Sequence, residues 1–323
     1  MTPKLEDIAR AMGVSKATVS NALSGKGRVS EALKARIRDE AARLGYAPSV
    51  QARALRTGRS GVIGLVLPDI ANPLFPALAQ SIEAAAQARG LGVLIADSRG
   101  TREAQDKALR RLLRQGADGL VVVPRRGTKL PELAVPVAVI DAASTPGNTI
   151  SADHRQGGAL IAEHLRSFGH KNILIVGQSR SSRVQTDRVA GMRAALDSDM
   201  RARVLWLEEA PLPAPRDILA QGFTALAATS DLIALPLLTR LQAAGLKVPQ
   251  EIAVTGFDNH AFSALVAPGL TTVAQNLGTI AEGALASVLA QLDAQPAPPP
   301  RTVPVTLLPR GTTINQPNTE TCP

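Results

Sequence analysis

One cysteine in 323 residues, with one tryptophan, one tyrosine and five phenylalanines, sets the first limits. The lone Cys322 lies in a polar C-terminal tail. It therefore has no intramolecular disulfide partner, which fits a reducing cytoplasm. Aromatics at 2% argue against a ligand site built on stacked rings. No run of about 20 apolar residues is present to span a bilayer, and the segment after Met1 has no signal-peptide core. A soluble cytoplasmic protein is expected. Cofactor chemistry is equally poorly represented. No G-x-G-x-x-G follows a strand pattern, no Walker loop occurs, and His154, His164, His170 and His260 show neither H-x-x-x-H nor H-E-x-x-H spacing. No metal, no cofactor and no catalytic residues are expected, and hence no enzyme.

What is present in excess is positive charge, and it is confined. Residues 1–60 hold twelve lysines and arginines against five acids, a net +7 out of +9 for the whole chain. A basic excess restricted to one small module suits phosphate neutralisation on nucleic acid. Within that module Leu5, Ile8, Ala9 and Met12 recur at helical spacing, and Gly13 permits the left-handed turn that ends the helix. Ser15 is a good cap for a second helix. On that helix Val19, Ala22 and Leu23 fall on one side and Lys16, Ala17, Ser20 and Asn21 on the other. Ser30 can cap a third helix whose buried stripe is Leu33, Ile37, Ala41 and Leu44, with Gly45 at its end. Two helices joined by a tight turn, the second with an exposed polar face, suit a helix-turn-helix that lays its second helix in the major groove.

Beyond residue 60 the pattern changes to buried strands alternating with helices. GVIGLVLPD, LGVLIADS, DGLVVVP and VPVAVIDA read as strands of a parallel sheet, and KNILIVG, RVLWLEEA and IAVTGFDN as strands of another, with amphipathic helices between. The fold class is α/β, with an all-α headpiece and a two-lobed body.

DIARAMGVSKATVSNAL, VSEALKARI, LGYAPSVQARALRTGRSGVIGLVLPDIANPLF and the GFD of VTGFDN together resemble the LacI/GalR family of bacterial regulators over nearly the whole chain. The resemblance implies a homodimeric or tetrameric transcription factor, with a periplasmic-binding-protein-like body, whose affinity for palindromic operator DNA is set by a small metabolite. It implies a repressor of a catabolic operon, and leaves open a regulator corepressed by a purine or other non-sugar metabolite. No leucine heptad follows the last strand, so a dimer is expected. A secreted solute-binding protein shares the body but has no use for the amino-terminal sixty residues.

The implied organisation is a headpiece over 1–46, a hinge over 47–60, a first lobe over 61–153 and 273–295, a second over 154–272 and 300–310, and a disordered tail over 311–323. DNA contacts are expected from Ser15, Lys16, Ala17, Thr18, Ser20, Asn21 and Arg28. Within the hinge, Leu55 is expected to wedge into a minor-groove step, with Arg56 on phosphate. Ligands of open α/β sheets bind beyond the carboxyl ends of strands, which brings in Asp69, Asn72 and Arg125. The family match adds Leu74 and Phe75 as apolar wall and Asp153, Arg188 and Asp258 as polar contacts. Two departures stand out. Ser230-Asp231 replaces the Asn-Asp common in relatives, and Pro236 falls inside the helix those residues open, where it is expected to break a backbone bond or delay the helix start. Arg99, Arg125, Arg126, Arg180, Arg183 and Arg188 all lie near strand ends, so an anionic effector such as a sugar acid or sugar phosphate is expected, since guanidinium forks match such oxygens.

Overall fold

The computed structural model describes residues 3–24, 29–46, 58–124, 130–141 and 149–314. Arg28, Leu55, Arg56, Arg125 and Arg126 lie outside these, as does most of the hinge. The chain divides into two units, Met1–Gly61 and Val62–Pro323.

The first unit is three helices, α1 (Leu5–Met12), α2 (Lys16–Ser24) and α3 (Glu31–Arg43). Gly13 takes the left-handed conformation at φ 63°, and the following Val14 N–H returns to the Ala9 carbonyl. Ser15 Oγ accepts from the Thr18 N–H at 3.0 Å and Ser30 Oγ from the Leu33 N–H at 3.4 Å, so both expected caps are in place. Ile8, Ala9, Val19, Ala22, Ile37 and Ala41 form the buried centre, one or two turns from each helix. A core this small offers little stability to spare.

The second unit holds two parallel sheets. β1 (Val62–Leu67), α4 (Leu74–Gln87), β2 (Gly92–Asp97), α5 (Arg102–Arg114), β3 (Gly119–Val122) and β4 (Val137–Val139) make a sheet of order β2-β1-β3-β4. After β5 (Ile150–Ala152) come α6 (His154–Ser167), β6 (Asn172–Gly177), α7 (Arg183–Ala194), β7 (Arg201–Trp206), α8 (Pro215–Ala220), β8 (Ala225–Ala228), α9 (Asp231–Ala243) and β9 (Ala253–Thr255). Their strands repeat the same order, β7-β6-β8-β9. β1 and β6 are central and buried on both faces, which is why both read as unbroken apolar runs.

The chain then crosses back. β10 (Thr272–Ala274) pairs antiparallel with β12 (Thr306–Leu308) and bridges to β9 through Thr271 and Thr255. α10 (Leu277–Leu292) packs on α4, and β11 (Arg301–Val303) pairs with β5.

Several expectations need correction. Ala225–Ala228 is a central strand that sequence patterning passed over, because three alanines around one leucine, with no β-branched or aromatic residue, carry little β signal. Residues 301–303 belong beside β5 rather than with the second sheet, and only 306–308 pairs toward that sheet. The first residues of the supposed disordered tail are packed. Thr312 and Thr313 are buried, Thr312 Oγ1 accepts from the Thr271 N–H at 2.8 Å, and the Thr312 carbonyl accepts from Val254 N–H. Pro236 lies within α9, which starts at Asp231 all the same. The proline is on the exposed side, where water can serve the carbonyl it leaves unpaired.

α6 and α7 lie almost in backbone contact. A Cβ on Gly158 would overlap the Arg188 carbonyl, and one on Gly191 would overlap the Arg155 carbonyl. Backbone cannot yield as a flexible side chain can. Gly191→Ala is therefore expected to lower stability by about 1–3 kcal/mol or more through overpacking, read as a fall in melting temperature. An alanine variant melting with wild type would contradict the close approach.

Candidate functional site

On the first unit the candidate surface is the outer face of α2. Lys16, Ala17 and Asn21 are exposed, while Val19 and Ala22 on the opposite face are fully buried. Thr18 and Ser20 are half-buried at the edge of that face. Ser15 and Thr18 are joined Oγ to Oγ1 at 2.9 Å, so they start the helix as well as standing at its exposed end. Lys16 Nζ donates to Glu6 Oε1 at 2.7 Å, an exposed pair tying α2 to α1. That bond and the attraction of the two charges raise the lysine's pKa and lower the glutamate's. A flat capped helix of this kind presents its first turn outward, the part that meets base edges in helix-turn-helix proteins.

In the second unit a cleft of about 750 Å³ opens between the carboxyl ends of the two sheets, within the range of small-molecule sites. The β1 and β3 ends supply Asp69, Asn72, Leu74, Phe75, Val123 and Pro124, and β4 is followed by Asp141. From the other sheet come Ser181, Arg183 and Val184 around the start of α7, Ser230, Leu232 and Ile233 around the start of α9, and Asp258 after β9. Phe75 is the one aromatic side chain lining the cleft among the described residues.

Arg188 and Asp258 form the buried floor, each side chain 4% exposed. Arg188 Nη2 donates to Asp258 Oδ1 at 2.8 Å, Nη1 to the Thr229 carbonyl at 2.6 Å and Nε to His154 Nδ1 at 3.3 Å. The guanidinium also stacks on Phe257, 3.7 Å from the ring centroid. Gln275 Nε2 donates to the same Asp258 oxygen at 2.8 Å. His154 reaches Asp141 Oδ1 at 3.1 Å, and the Ala152 N–H donates to that oxygen at 3.2 Å. Asp69 Oδ1 accepts from the Ala71 N–H at 2.9 Å, and Asn72 Oδ1 from Leu74 N–H at 3.1 Å, each shaping the turn into α4. Among the described residues, the second oxygen of Asp69, Asp141 and Asp258 takes no protein hydrogen bond.

Behind the floor Asp231 is fully buried at the start of α9. Its Oδ2 accepts from the His260 N–H (2.8 Å) and Ser263 Oγ (2.6 Å), and its Oδ1 from Thr272 Oγ1 (2.6 Å). These bonds hold the 258–263 segment, and so Asp258, against α9. Burial pushes the Asp231 carboxyl above the usual range. The Ser263, Thr272 and His260 bonds oppose that rise, and the charge of Asp258 adds to it.

The structure brings together Asp69, Asn72, Leu74, Phe75, Arg188 and Asp258 as expected from sequence. Asp153 is not among the lining residues. It is the cap of α6, accepting from the Gln156 N–H at 2.9 Å, and the D-x-x-Q spacing of Asp153 and Gln156 is a cap signature that could have been read. The carboxylate that joins Asp69 on the first-sheet side of the cleft is Asp141, whose backbone sits at φ 56°.

Among the described residues, the arginines of the expected cluster are paired or stand off the lining, and Arg125 and Arg126 lie outside those residues. Arg180 pairs with Glu209 (2.8 Å), Arg183 with Asp187 (2.8 Å) and Arg188 with Asp258, while Arg99 is exposed and absent from the lining. Side chains from the next turn of helix or the neighbouring loop have taken up the charge.

A helix-turn-helix unit followed by a doubly lobed α/β body with an interlobe cleft defines a ligand-responsive DNA-binding protein. Residues 4–49 match the model of bacterial regulatory proteins of the lacI family, and residues 162–313 match a periplasmic binding protein-like domain. The chain is 31% identical over 293 residues to the transcriptional regulator DegA of Bacillus subtilis, covering 85% of this chain and 87% of that protein. It is 31% identical over 310 residues to GalR of Escherichia coli, covering 91% and 90%. The crystal structure of the lac repressor dimer bound to operator and the anti-inducer ONPF superposes with a TM-score of 0.78 at 26% identity, over 97% of this chain and all of that one. The chain belongs to the LacI family of DNA-binding transcriptional regulators.

Proposed function

We propose that this protein is a cytoplasmic repressor of a catabolic operon, binding a palindromic operator as a homodimer, and that a neutral, hydroxyl-rich metabolite in the cleft sets its operator affinity. The observation that carries the effector reading is the set of three carboxylates, Asp69, Asp141 and Asp258, lining one cleft with an oxygen each that is uncommitted among the described residues, while every described arginine nearby is paired or off the lining. Ionised carboxylates are acceptors only, so they suit hydroxyl donors. Among the described residues, an anion would meet carboxylates instead of open guanidinium forks. Related structures hold sugars: that of the regulator CelR is a cellobiose complex, and that of an Enterococcus faecium family member contains bound ribose. Calorimetry with matched pairs, a sugar against its phosphate or acid, tests the charge. The neutral member is expected to bind more tightly, and tighter binding of the anion would overturn the reading.

On DNA, the outer face of α2 is proposed to read the half-site through Lys16, Ala17 and Asn21. Asparagine pairs bidentately with adenine and arginine with guanine. Asn21→Arg is therefore expected to switch one position of the site selected from random duplexes from adenine to guanine. An unchanged preference at every position would remove Asn21 from the reading set. Leu55 in the hinge is proposed to enter a central minor-groove step, so Leu55→Ala should weaken operator binding by about a few kcal/mol and leave effector binding intact. Equal operator affinities for the two proteins would end that proposal.

A further inference from the structure

His154 opens α6 with its side chain only 7% exposed. Through one ring it touches a polar group from each half of the cleft: Asp141 after β4 at Nε2, and Arg188 on α7 at Nδ1. The donor inventory fixes its state. A guanidinium only donates, so Nδ1, which receives Arg188 Nε–H, carries a lone pair. The ring proton is then on Nε2 and is given to Asp141 Oδ1, 3.1 Å away.

The consequence for the cleft is geometric. Asp141 Oδ1 is occupied by His154 and by the Ala152 N–H, which leaves Oδ2 of this cleft-lining residue without a hydrogen bond among the described residues. Arg188 is held by His154, Thr229 and Asp258 along three directions, which fixes the plane of its guanidinium. Without the ring, Asp141 keeps one anchor on a left-handed backbone, and Arg188 can turn about its last side-chain bonds.

We propose that His154 is a positioning residue for effector binding, holding Asp141 and Arg188 in register across the cleft as a neutral, Nε2-protonated ring without itself contacting the ligand. This rests on the effector reading of the cleft given above, but its test can fail separately.

Two substitutions split the ring's two bonds. In His154→Asn the Oδ1 atom stands near the place of Nδ1 and accepts from Arg188, while the bond to Asp141 is lost. In His154→Gln the Nε2 amide stands near the ring Nε2 and donates to Asp141, while the bond from Arg188 is lost. The full chain is studied as wild type, as each variant, and as each combined with Asp141→Asn. Melting temperature is measured alone and with an equal mixture of D-ribose, D-glucose, D-galactose and maltose, and ring protonation by long-range nitrogen–proton NMR at neutral pH.

Wild type is expected to show the Nε2–H ring. Each single variant is expected to melt cooperatively yet bind the sugar at least tenfold more weakly, about 1.4 kcal/mol. Asp141→Asn should have its full effect in wild type and in the glutamine variant and little in the asparagine variant, a pattern of coupling that a general loss of packing does not produce. An Nδ1–H ring or an imidazolium, an equal effect of Asp141→Asn in all three backgrounds, or undiminished sugar binding in both variants would overturn the proposal. A wild type indifferent to the mixture would count against the sugar reading instead. The ring's protonation state and the Asp141→Asn pattern, measured without sugar, then decide the role of His154.

Discussion

Replacing Arg188 by methionine is expected to cost about 3–5 kcal/mol of stability, the penalty for leaving one member of a buried ion pair alone. The charge left behind is Asp258, buried to the same degree, with Gln275 as its one remaining side-chain donor among the described residues. Three further losses accompany it: the Thr229 carbonyl loses its guanidinium donor, His154 Nδ1 loses Arg188 Nε–H, and Phe257 loses the cation stacked on its face. Methionine keeps much of the apolar stem, so the effect reports charge and hydrogen bonding more than volume. The double replacement Arg188→Met with Asp258→Leu should recover part of the loss, since an apolar pair of similar size often substitutes for a buried ion pair at little cost. Denaturant unfolding checks both. A single variant within about 1 kcal/mol of wild type, the value of an exposed pair, would show that the floor of the cleft is open to water.

Asp231 gives the second large effect, with a pH dependence of defined sign. Asp231→Ala orphans three donors, each costing about 1–3 kcal/mol when buried and unsatisfied, and it frees the segment that carries Asp258. Asp231→Asn keeps the shape. Because burial raises the carboxyl's pKa in the folded chain, the folded protein holds a proton over a range where the unfolded chain has released it. That contribution is fully present below the unfolded value, near about 3.9, and is lost as pH rises through the folded value. The asparagine variant has no such titration. Its stability deficit against wild type should therefore be largest in acid and shrink as pH rises toward neutrality. A deficit that grew with pH would mean that the three hydrogen bonds outweigh burial and that Asp231 is a depressed acid.

The helical module was legible because every device in it is local. Caps at Ser15 and Ser30, the glycine turn at Gly13 and a 3.6-residue apolar period all act within one or two turns. Buried strands were legible for the same reason where they were long and branched, as in β1 and β6, and not where a short alanine-rich segment passes through the middle of a sheet, as in β8. The cleft was harder. Arg188 and Asp258 were found through family motifs, but nothing local in the sequence pairs them, since they lie seventy residues apart. Asp141 and Asp153 both stand next to predicted elements, and only the left-handed backbone at Asp141 and the capping bond at Asp153 separate the cleft carboxylate from the structural one. Arg183 with Asp187 is a four-residue helical spacing open to inspection, whereas the partner of Arg180, Glu209, comes from beyond the neighbouring strand. Counting arginines at strand ends leaves out their acidic partners, of which Glu209 and Asp258 are distant in sequence from Arg180 and Arg188.

Occupancy of the cleft and occupancy of DNA are proposed to be coupled, and one experiment measures that coupling directly. Duplexes selected from random DNA by the full chain are titrated with protein at fixed salt, in the absence and in the presence of the sugar that raises its melting temperature. Operator affinity is expected to change at least tenfold, about 1.4 kcal/mol, and by linkage the operator changes sugar affinity by the same factor. Enrichment of a duplex whose affinity is the same with and without sugar would contradict it.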